Sequence, residues 1–304
     1  MTDLRAAYAK LSGNVRGALW MLASAVTFTL MTSLVKFLGE NYSAALQTFY
    51  RNAAGLLVLL PLIWRDPKGA LRTSRPGIVL YRALAGTLGV VLAFWAYQEM
   101  PLAEANALSF TRTLWIVPLA IFVLHERIGV WRLGATLVGF LGVLIMLQPS
   151  IANAVGWPAA AALASALLFA TTVTGVKVLT RDHSITVLMV WSAILGFLLS
   201  IPLAVMEWRW PAPLDLALLA LMGVLGVITQ ACYIKGMALG DAAAMAPIDY
   251  TRLVFAILFG LILFQEVPNL ITMAGALIVI GSTLVITLRE MRVKREPPPP
   301  ERAE

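Results

Sequence analysis

The residues best placed to do chemistry in this chain are charges set inside long apolar runs. Arg112, Asp249 and Arg252 each lie well within a stretch otherwise rich in Leu, Ile, Val, Phe and Ala. An ionised group at that depth is costly in hydrocarbon, so it faces a protein interior or a wet cavity and marks a substrate or ion path by default. Asp249 precedes Arg252 by three residues, which puts both on one face of a helix. Two readings stand: the guanidinium binds a substrate carboxylate while Asp249 takes an ammonium or a proton, or the two form an ion pair that holds a bundle together. Arg112 has no local partner. Aromatic and amide residues share the same runs: Trp95, Gln98, Asn106 and Phe110 in the first half, Gln230, Tyr233 and Tyr250 in the second. Ring faces with uncharged amides suit a zwitterion carrying an apolar side chain, or a planar amphipathic compound. These seven residues and the three charges are the candidate substrate-binding set. Arg51, near the end of its own run, reads as a side chain that snorkels to the interface. Lys36 closes the first run, where a cation complements a helix C-terminus and reaches water. Glu104 and Asp241 near the starts of their runs read as helix caps, with proton binding the alternative.

The elements that must position these groups are membrane helices. The chain is 60% hydrophobic and 13% charged over 304 residues, with a mean hydropathy of +0.84. A soluble domain has about 25% charged residues, and a bilayer-spanning helix needs about 20 mostly apolar ones. Ten such runs can be read: roughly 15–38, 43–64, 78–98, 102–124, 131–147, 155–179, 185–206, 214–239, 242–264 and 269–288. They are too long for barrel strands, and lipid leaves no partner for an open backbone, so they are helices. Eighteen Lys and Arg fall on the side of the N-terminus, counting Arg82 just inside its helix, and Arg209 alone on the other. That asymmetry predicts cytoplasmic N- and C-termini in a bacterial inner membrane. It also explains the net charge of +7 through anionic headgroups, with no nucleic acid required. Trp64, Trp131, Trp157, Trp208 and Trp210 stand at run ends as interfacial anchors.

The chain says nearly the same thing twice. Leu22-Ala23-Ser24-Ala25 and Phe28 recur as Leu163-Ala164-Ser165-Ala166 and Phe169, an offset of 141 that also carries Lys36 onto Lys177 and Pro61 onto Pro202. Thr111-Arg112 and Glu126 recur as Thr251-Arg252 and Glu266 at an offset of 140. If each copy crosses the bilayer five times, the copies run antiparallel, as in secondary transporters that alternate access around a midplane site. The expected organisation is a first five-helix repeat over 1–150, an inverted second repeat over 151–289, and a disordered cytoplasmic tail over 290–304 carrying Glu296-Pro-Pro-Pro-Pro-Glu301. Gly86 and Gly89 match Gly223 and Gly226, at spacings that let helices approach and rock. Pro118 and Pro247 are expected to kink the fourth and ninth spans.

The paired Leu-Ala-Ser-Ala motifs, the run His125-Glu126-Arg127 to Leu133-Gly134-Ala135 and Gly139-x-x-Gly142, and its partner Gln265-Glu266 to Ala274-Gly275-Ala276 and Gly281 resemble the drug/metabolite transporter superfamily. The likeness is to its EamA-type ten-helix exporters, most of all the bacterial exporters of amino acids, aromatic ones included. This resemblance covers about residues 13–289. It implies a basket of ten helices around a central cavity. Spans one, three, four, six, eight and nine line that cavity, and spans five and ten stand apart from it. The expected function is thus a secondary transporter exporting amino acids or similar small amphipathic metabolites, with other metabolites or drugs as the alternative cargo.

Other classes find less support. His125 and His183 lie in separate loops without ligand spacing, so neither a metal site nor an enzyme is expected. Neither a P-loop nor a dinucleotide fingerprint occurs, so no cofactor is expected. A receptor or assembly protein would not need an inverted repeat, although spans five and ten could support a homodimer. Cys232 reads as a small core residue. The topology is testable with reporter fusions. Fusions after Arg75 and in the tail should report cytoplasm, one near Ala152 the opposite side; a cytoplasmic signal at Ala152 removes the five-plus-five arrangement.

Overall fold

The structure, a computed structural model, describes residues 11–65, 71, 73–122, 130–147, 156–179, 185–240, 245 and 248–295. The expected features at Glu126, His125, His183, Asp241, Pro247 and residues 296–304 lie outside them, as does the side chain of Lys177. The described elements are all helices: α1 (Gly13–Leu38), α2 (Ala44–Arg65), α3 (Pro76–Glu99), α4 (Leu102–Ser109), α5 (Thr111–Phe122) and α6 (Val130–Leu147) in the first repeat. The second repeat holds α7 (Trp157–Leu179), α8 (Ile185–Met206), α9 (Pro213–Leu239), α10 (Thr251–Phe264) and α11 (Leu270–Arg295). Helices α4 and α5 together make the fourth span. Among the described residues, α1, α2, α3, α9 and the α4–α5 run are long and apolar enough to cross a membrane, and the remaining spans hold shorter apolar helices. Helix α11 continues to Arg295, past the expected start of the tail.

Lipid inverts the usual patterning. Leu19, Leu22, Leu30 and Phe37 of α1 are exposed, whereas Ser24, Thr29, Thr32 and Ser33 are buried. Thr29 Oγ1 and Thr32 Oγ1 donate to carbonyls of their own helix, at 2.9 Å to Ala25 and 3.1 Å to Thr29, while Ser33 Oγ is buried without a partner. Each span packs chiefly on a span of the other repeat: α1 on α9, α3 on α7, α2 on α8 and α6 on α11. Neither repeat therefore has a core of its own. Small residues permit the closest approaches, with Gly17 of α1 lying over the Gly236 carbonyl of α9. The halves are not in identical register. Ser165 Oγ donates to the Gly89 carbonyl at 2.7 Å, while its repeat mate Ser24 donates to Thr229 at 3.0 Å, about one turn beyond Gly226, the mate of Gly89.

The end of the bundle where α1 finishes is tied shut. Lys36 Nζ pairs with Glu266 at 2.5 Å and donates to the Met100 carbonyl at 2.5 Å. Glu266 also accepts from the Leu102 backbone N–H at 2.8 Å, satisfying the exposed N-terminus of α4. Gln265 holds a left-handed φ of 56° at the end of α10, which turns Glu266 back toward both partners. Lys36 therefore does not snorkel to water as expected; a carboxylate from the other repeat binds it inside the bundle. Tyr42 adds a second tie, donating to Asp215 at 2.7 Å; that bond, then burial, raises its phenol above the ordinary range.

Spans five and ten pack on one another, away from the other helices' centre. A Cβ on Gly275 would sit 2.6 Å from the Gly142 carbonyl oxygen and 2.7 Å from Met146 N, both backbone atoms that cannot yield. Gly275→Ala should therefore cost about 1–3 kcal/mol, read as a lower thermal unfolding midpoint in detergent. Gly134→Ala, where a Cβ meets nothing within 4 Å, is the neutral control. Equal stability of the two variants would refute the close contact.

Candidate functional site

The fourth and ninth spans break at matching places. The chain leaves regular helix at Phe110 and again at Tyr250, its mate at the same 140-residue offset. The break is built alike in both copies. Thr113 N bonds Phe110 O at 3.1 Å and Leu253 N bonds Tyr250 O at 3.0 Å, a local tightening to three-residue turns. Thr111 Oγ1 donates to Leu108 O and Thr251 Oγ1 to Ile248 O, each at 2.6 Å, supplying the helix with a competing side-chain bond. Pro118, expected to kink the fourth span, sits instead inside α5; the threonine turn does the breaking. The two ring residues meet edge to face at 4.9 Å between centroids, joining the repeats at their matched turns. Each break is followed two residues later by an arginine.

Those arginines open onto one cavity of about 220 Å³. Arg112 and Arg252 line it together with Phe28, Phe94, Tyr97, Phe169, Ser109 and Gln230. Arg252 is clamped: its guanidinium carbon lies 4.7 Å from the Phe28 ring centre and 4.9 Å from that of Phe110, and Nη2 reaches Asp249 Oδ2 at 2.9 Å. Asp249 is not on the cavity wall; it stands behind Arg252 and orients it. Arg112 makes no ion pair or hydrogen bond among the described residues. A second chamber of about 390 Å³ shares Arg51, Val90, Arg112, Phe169 and Gln230 with the first and continues to Asn52, Arg82, Thr87 and Ser192. Among the described residues, spans five and ten contribute to neither chamber, as expected, while spans two and seven do contribute.

The other candidate residues divide. Phe110 and Tyr250 support the wall from behind, the first under Arg252. Gln98 turns away, donating to the Tyr42 carbonyl at 3.2 Å in the tied end. Asn106 is fully buried and donates to the Leu102 carbonyl one turn back. Trp95 is 37% exposed and lines neither chamber. Tyr233 is half-buried and also absent from both walls. Arg51 is the correction that matters most. It does not snorkel outward; it lines both chambers, with its Nε buried and without a hydrogen bond. Gly226 makes the room, since a Cβ there would lie 3.3 Å from that Nε. Arg82, counted from sequence among the cytoplasmic cations, likewise turns inward and donates to Ser192 Oγ of α8. Both are charges inside apolar runs, the same signal that singled out Arg112; proximity to a helix end hid it.

Both halves of the chain, residues 15–148 and 156–288, match the model of the EamA-like transporter family. The chain belongs to that family. It is 31% identical to an S-adenosylmethionine uptake transporter of Rickettsia prowazekii, over 91% of this chain and 94% of that one. It is 31% identical to a riboflavin transporter of Rhizobium johnstonii, over 94% and 95%. It is 27% identical to the pseudopaline exporter CntI of Pseudomonas aeruginosa, over 89% and 95%. A solved crystal structure that is 20% identical superposes with a TM-score of 0.62, covering 92% of this chain and 99% of that one, and shares the fold. This family member is thus a multi-pass membrane transporter.

The pair of Asp249 with Arg252 in this EamA protein can be tested by stability alone. Its carboxylate and Arg252 are mostly buried, with side chains 20% and 13% exposed. Asp249→Asn leaves a clamped cation without its partner and should lower stability by about 3 kcal/mol. Replacing both, as Asp249→Asn with Arg252→Met, should recover most of that loss in detergent thermal unfolding. An unchanged midpoint for Asp249→Asn would mean that the pair does not tether Arg252.

Proposed function

We propose that this chain exports amino acids and similar small amphipathic metabolites by alternating access, with the central cavity as the binding site. The observation that carries the reading is the pairing of repeat-matched Arg112 and Arg252 on one aromatic-walled cavity. Arg112 takes the substrate carboxylate; a charge-assisted bond of this kind contributes about 1.5–3 kcal/mol. The ammonium sits near Ser109 Oγ and the Gln230 amide oxygen, away from the Phe28 and Phe94 rings that Arg252 and Arg51 already cover. The apolar side chain lies along Phe169 and Val90. Asp249 holds Arg252 in place and does not touch the substrate.

Two of the related carriers fit this chemistry. S-adenosylmethionine, named for the Rickettsia relatives, presents an amino-acid head on a bulky ring system, and riboflavin, named for the Rhizobium one, presents a planar amphipathic body. An alternating-access carrier without an energy-coupling step follows the gradient of its cargo, so relatives named for uptake and for export can share one architecture. Export is the direction wherever the cytoplasmic pool is the larger.

Flux of labelled phenylalanine in proteoliposomes tests the reading. Tryptophan, methionine, threonine and S-adenosylmethionine should compete, because a pocket of this kind discriminates weakly among apolar side chains. Arg112→Ala at matched incorporation should cut flux at least about tenfold, in line with loss of a charge-assisted bond. Inhibition by riboflavin or nucleotide sugars, with none by any amino-acid compound, would overturn the amino-acid assignment.

A further inference from the structure

Two cations on the cavity wall have no counter-ion. Arg252 is paired with Asp249 at 2.9 Å, whereas Arg51 and Arg112 make no ion pair among the described residues. The one hydrogen bond of Arg51 among them is long, from Nη1 to the neutral Asn52 Oδ1 at 3.4 Å, and its Nε is buried without an acceptor. Asn52 donates in turn to the Gly196 carbonyl at 2.9 Å, which fixes α2 against α8. The Arg51 guanidinium carbon lies 5.9 Å from the centre of the Phe94 ring. An uncompensated charge inside a membrane protein is costly, and its unmade hydrogen bonds add to that cost.

Arg51 and Arg112 face the same space. Each lines both chambers, together with Val90, Phe169 and Gln230, so the two flank the junction between them. The first chamber holds about 220 Å³, below the roughly 300–1,000 Å³ of ordinary ligand pockets. A cargo whose head reaches Arg112 therefore meets Arg51 as well. Gly226 of α9 leaves the room for it, since a Cβ there would lie 3.3 Å from Arg51 Nε and 3.5 Å from Nη2. The repeat mate of Arg51 is Ser192, at the offset of 141, so only one half of the chain brings this cation. Guanidinium forks match the oxygens of a carboxylate. An ammonium fares worse. Among the described residues no carboxylate lines either chamber. Only neutral acceptors are left for it, such as Ser109 Oγ, whose own proton goes to the Asn106 carbonyl at 2.7 Å.

We infer that Arg51 and Arg112 together bind one acid head at the junction of the chambers, and that the preferred cargo is a net anion: an apolar or aromatic acid without an ammonium. The inference rests on the reading above, with the cavity as binding site and the cargo carboxylate on Arg112. It adds Arg51 as the residue that sets specificity. A zwitterion brings as much positive charge as negative to a wall already cationic, so an amino acid is the weaker ligand of its own carbon skeleton.

Equilibrium binding to the full chain in lipid nanodiscs tests this with phenyllactate, phenylalanine and phenethylamine. The first carries a hydroxyl where phenylalanine carries its ammonium; the last keeps the ammonium and lacks the acid. Phenyllactate should bind about tenfold or more tightly than phenylalanine, as a charge-assisted bond no longer offset by an ammonium would give, and phenethylamine should bind least. In Arg51→Gln the ratio of phenyllactate to phenylalanine affinity should fall toward one, and Arg51→Lys should restore part of it. A merely structural loss would weaken both ligands alike. Gly226→Ala, whose Cβ would crowd the same guanidinium, should lower the ratio too, and decides the point if Arg51→Gln does not fold. If phenyllactate binds no more tightly than phenylalanine, if phenethylamine matches it, or if the ratio survives these variants unchanged, the shared acid site is overturned while amino-acid binding stands. If phenyllactate binds and phenylalanine does not, the acid site stands and the amino-acid reading fails. If neither binds, both fall.

Discussion

Guanidinium groups cannot face hydrocarbon, and the architecture follows from where Arg51, Arg82, Arg112 and Arg252 are turned instead. All four line the two connected chambers, so the interior of the bundle cannot close into a dry core. Further apolar side chains stand on the outer face, as the exposed leucines of α1 and α9 show, while Leu38, Leu102, Leu114 and Leu219 remain buried. Buried hydroxyls and amides share the interior with an apolar core, and most of those hydroxyls bond a carbonyl on their own or a neighbouring helix. The same inward demand shapes the backbone. Arg112 and Arg252 follow matched three-residue turns, where a threonine hydroxyl competes with the helix ladder.

Pseudo-symmetry and its departures account for the shape of the site. Matched turns bring Phe110 and Tyr250 into contact, and the main helix pairings all cross between repeats. A motion of one repeat against the other therefore changes every wall of the cavity at once. Symmetry ends where the environment differs. Arg252 has Asp249 behind it and two rings around it, while Arg112 has neither. The tie of Lys36 to Glu266 closes one end of the bundle, and the serine contacts of α1 and α7 differ by about one turn. Two antiparallel copies in unlike conformations are what an inverted-repeat carrier needs to present its site to one side at a time.

Transporters named for S-adenosylmethionine, riboflavin and pseudopaline share this family with the chain. A scaffold that serves such different cargo leaves specificity to the side chains on the cavity wall. Here the wall joins rings to guanidinium groups.

Much of this was legible in the chain itself. Apolar runs of bilayer length fixed the helices, because lipid offers the backbone no partner. The repeat offset announced the inverted halves, and intramembrane charge singled out Arg112, Arg252 and Asp249. Adjacency in sequence even placed Asp249 beside Arg252, since three residues make nearly one turn. Which way a side chain turns was another matter. Arg51 and Arg82 lie near helix ends, where sequence alone permits an outward reach to water; only the packing of α9 at Gly226 and of α8 at Ser192 directs them inward. Trp95 and Gln98 sit in the right helix but on other faces, set by how α3 rotates against α1 and α7. Lys36 and Glu266 are 230 residues apart in sequence, so their bond exists only once the repeats interlock. A hydrophobic pattern reports how much of a helix meets lipid, whereas the direction of each polar group depends on which neighbour leaves it room.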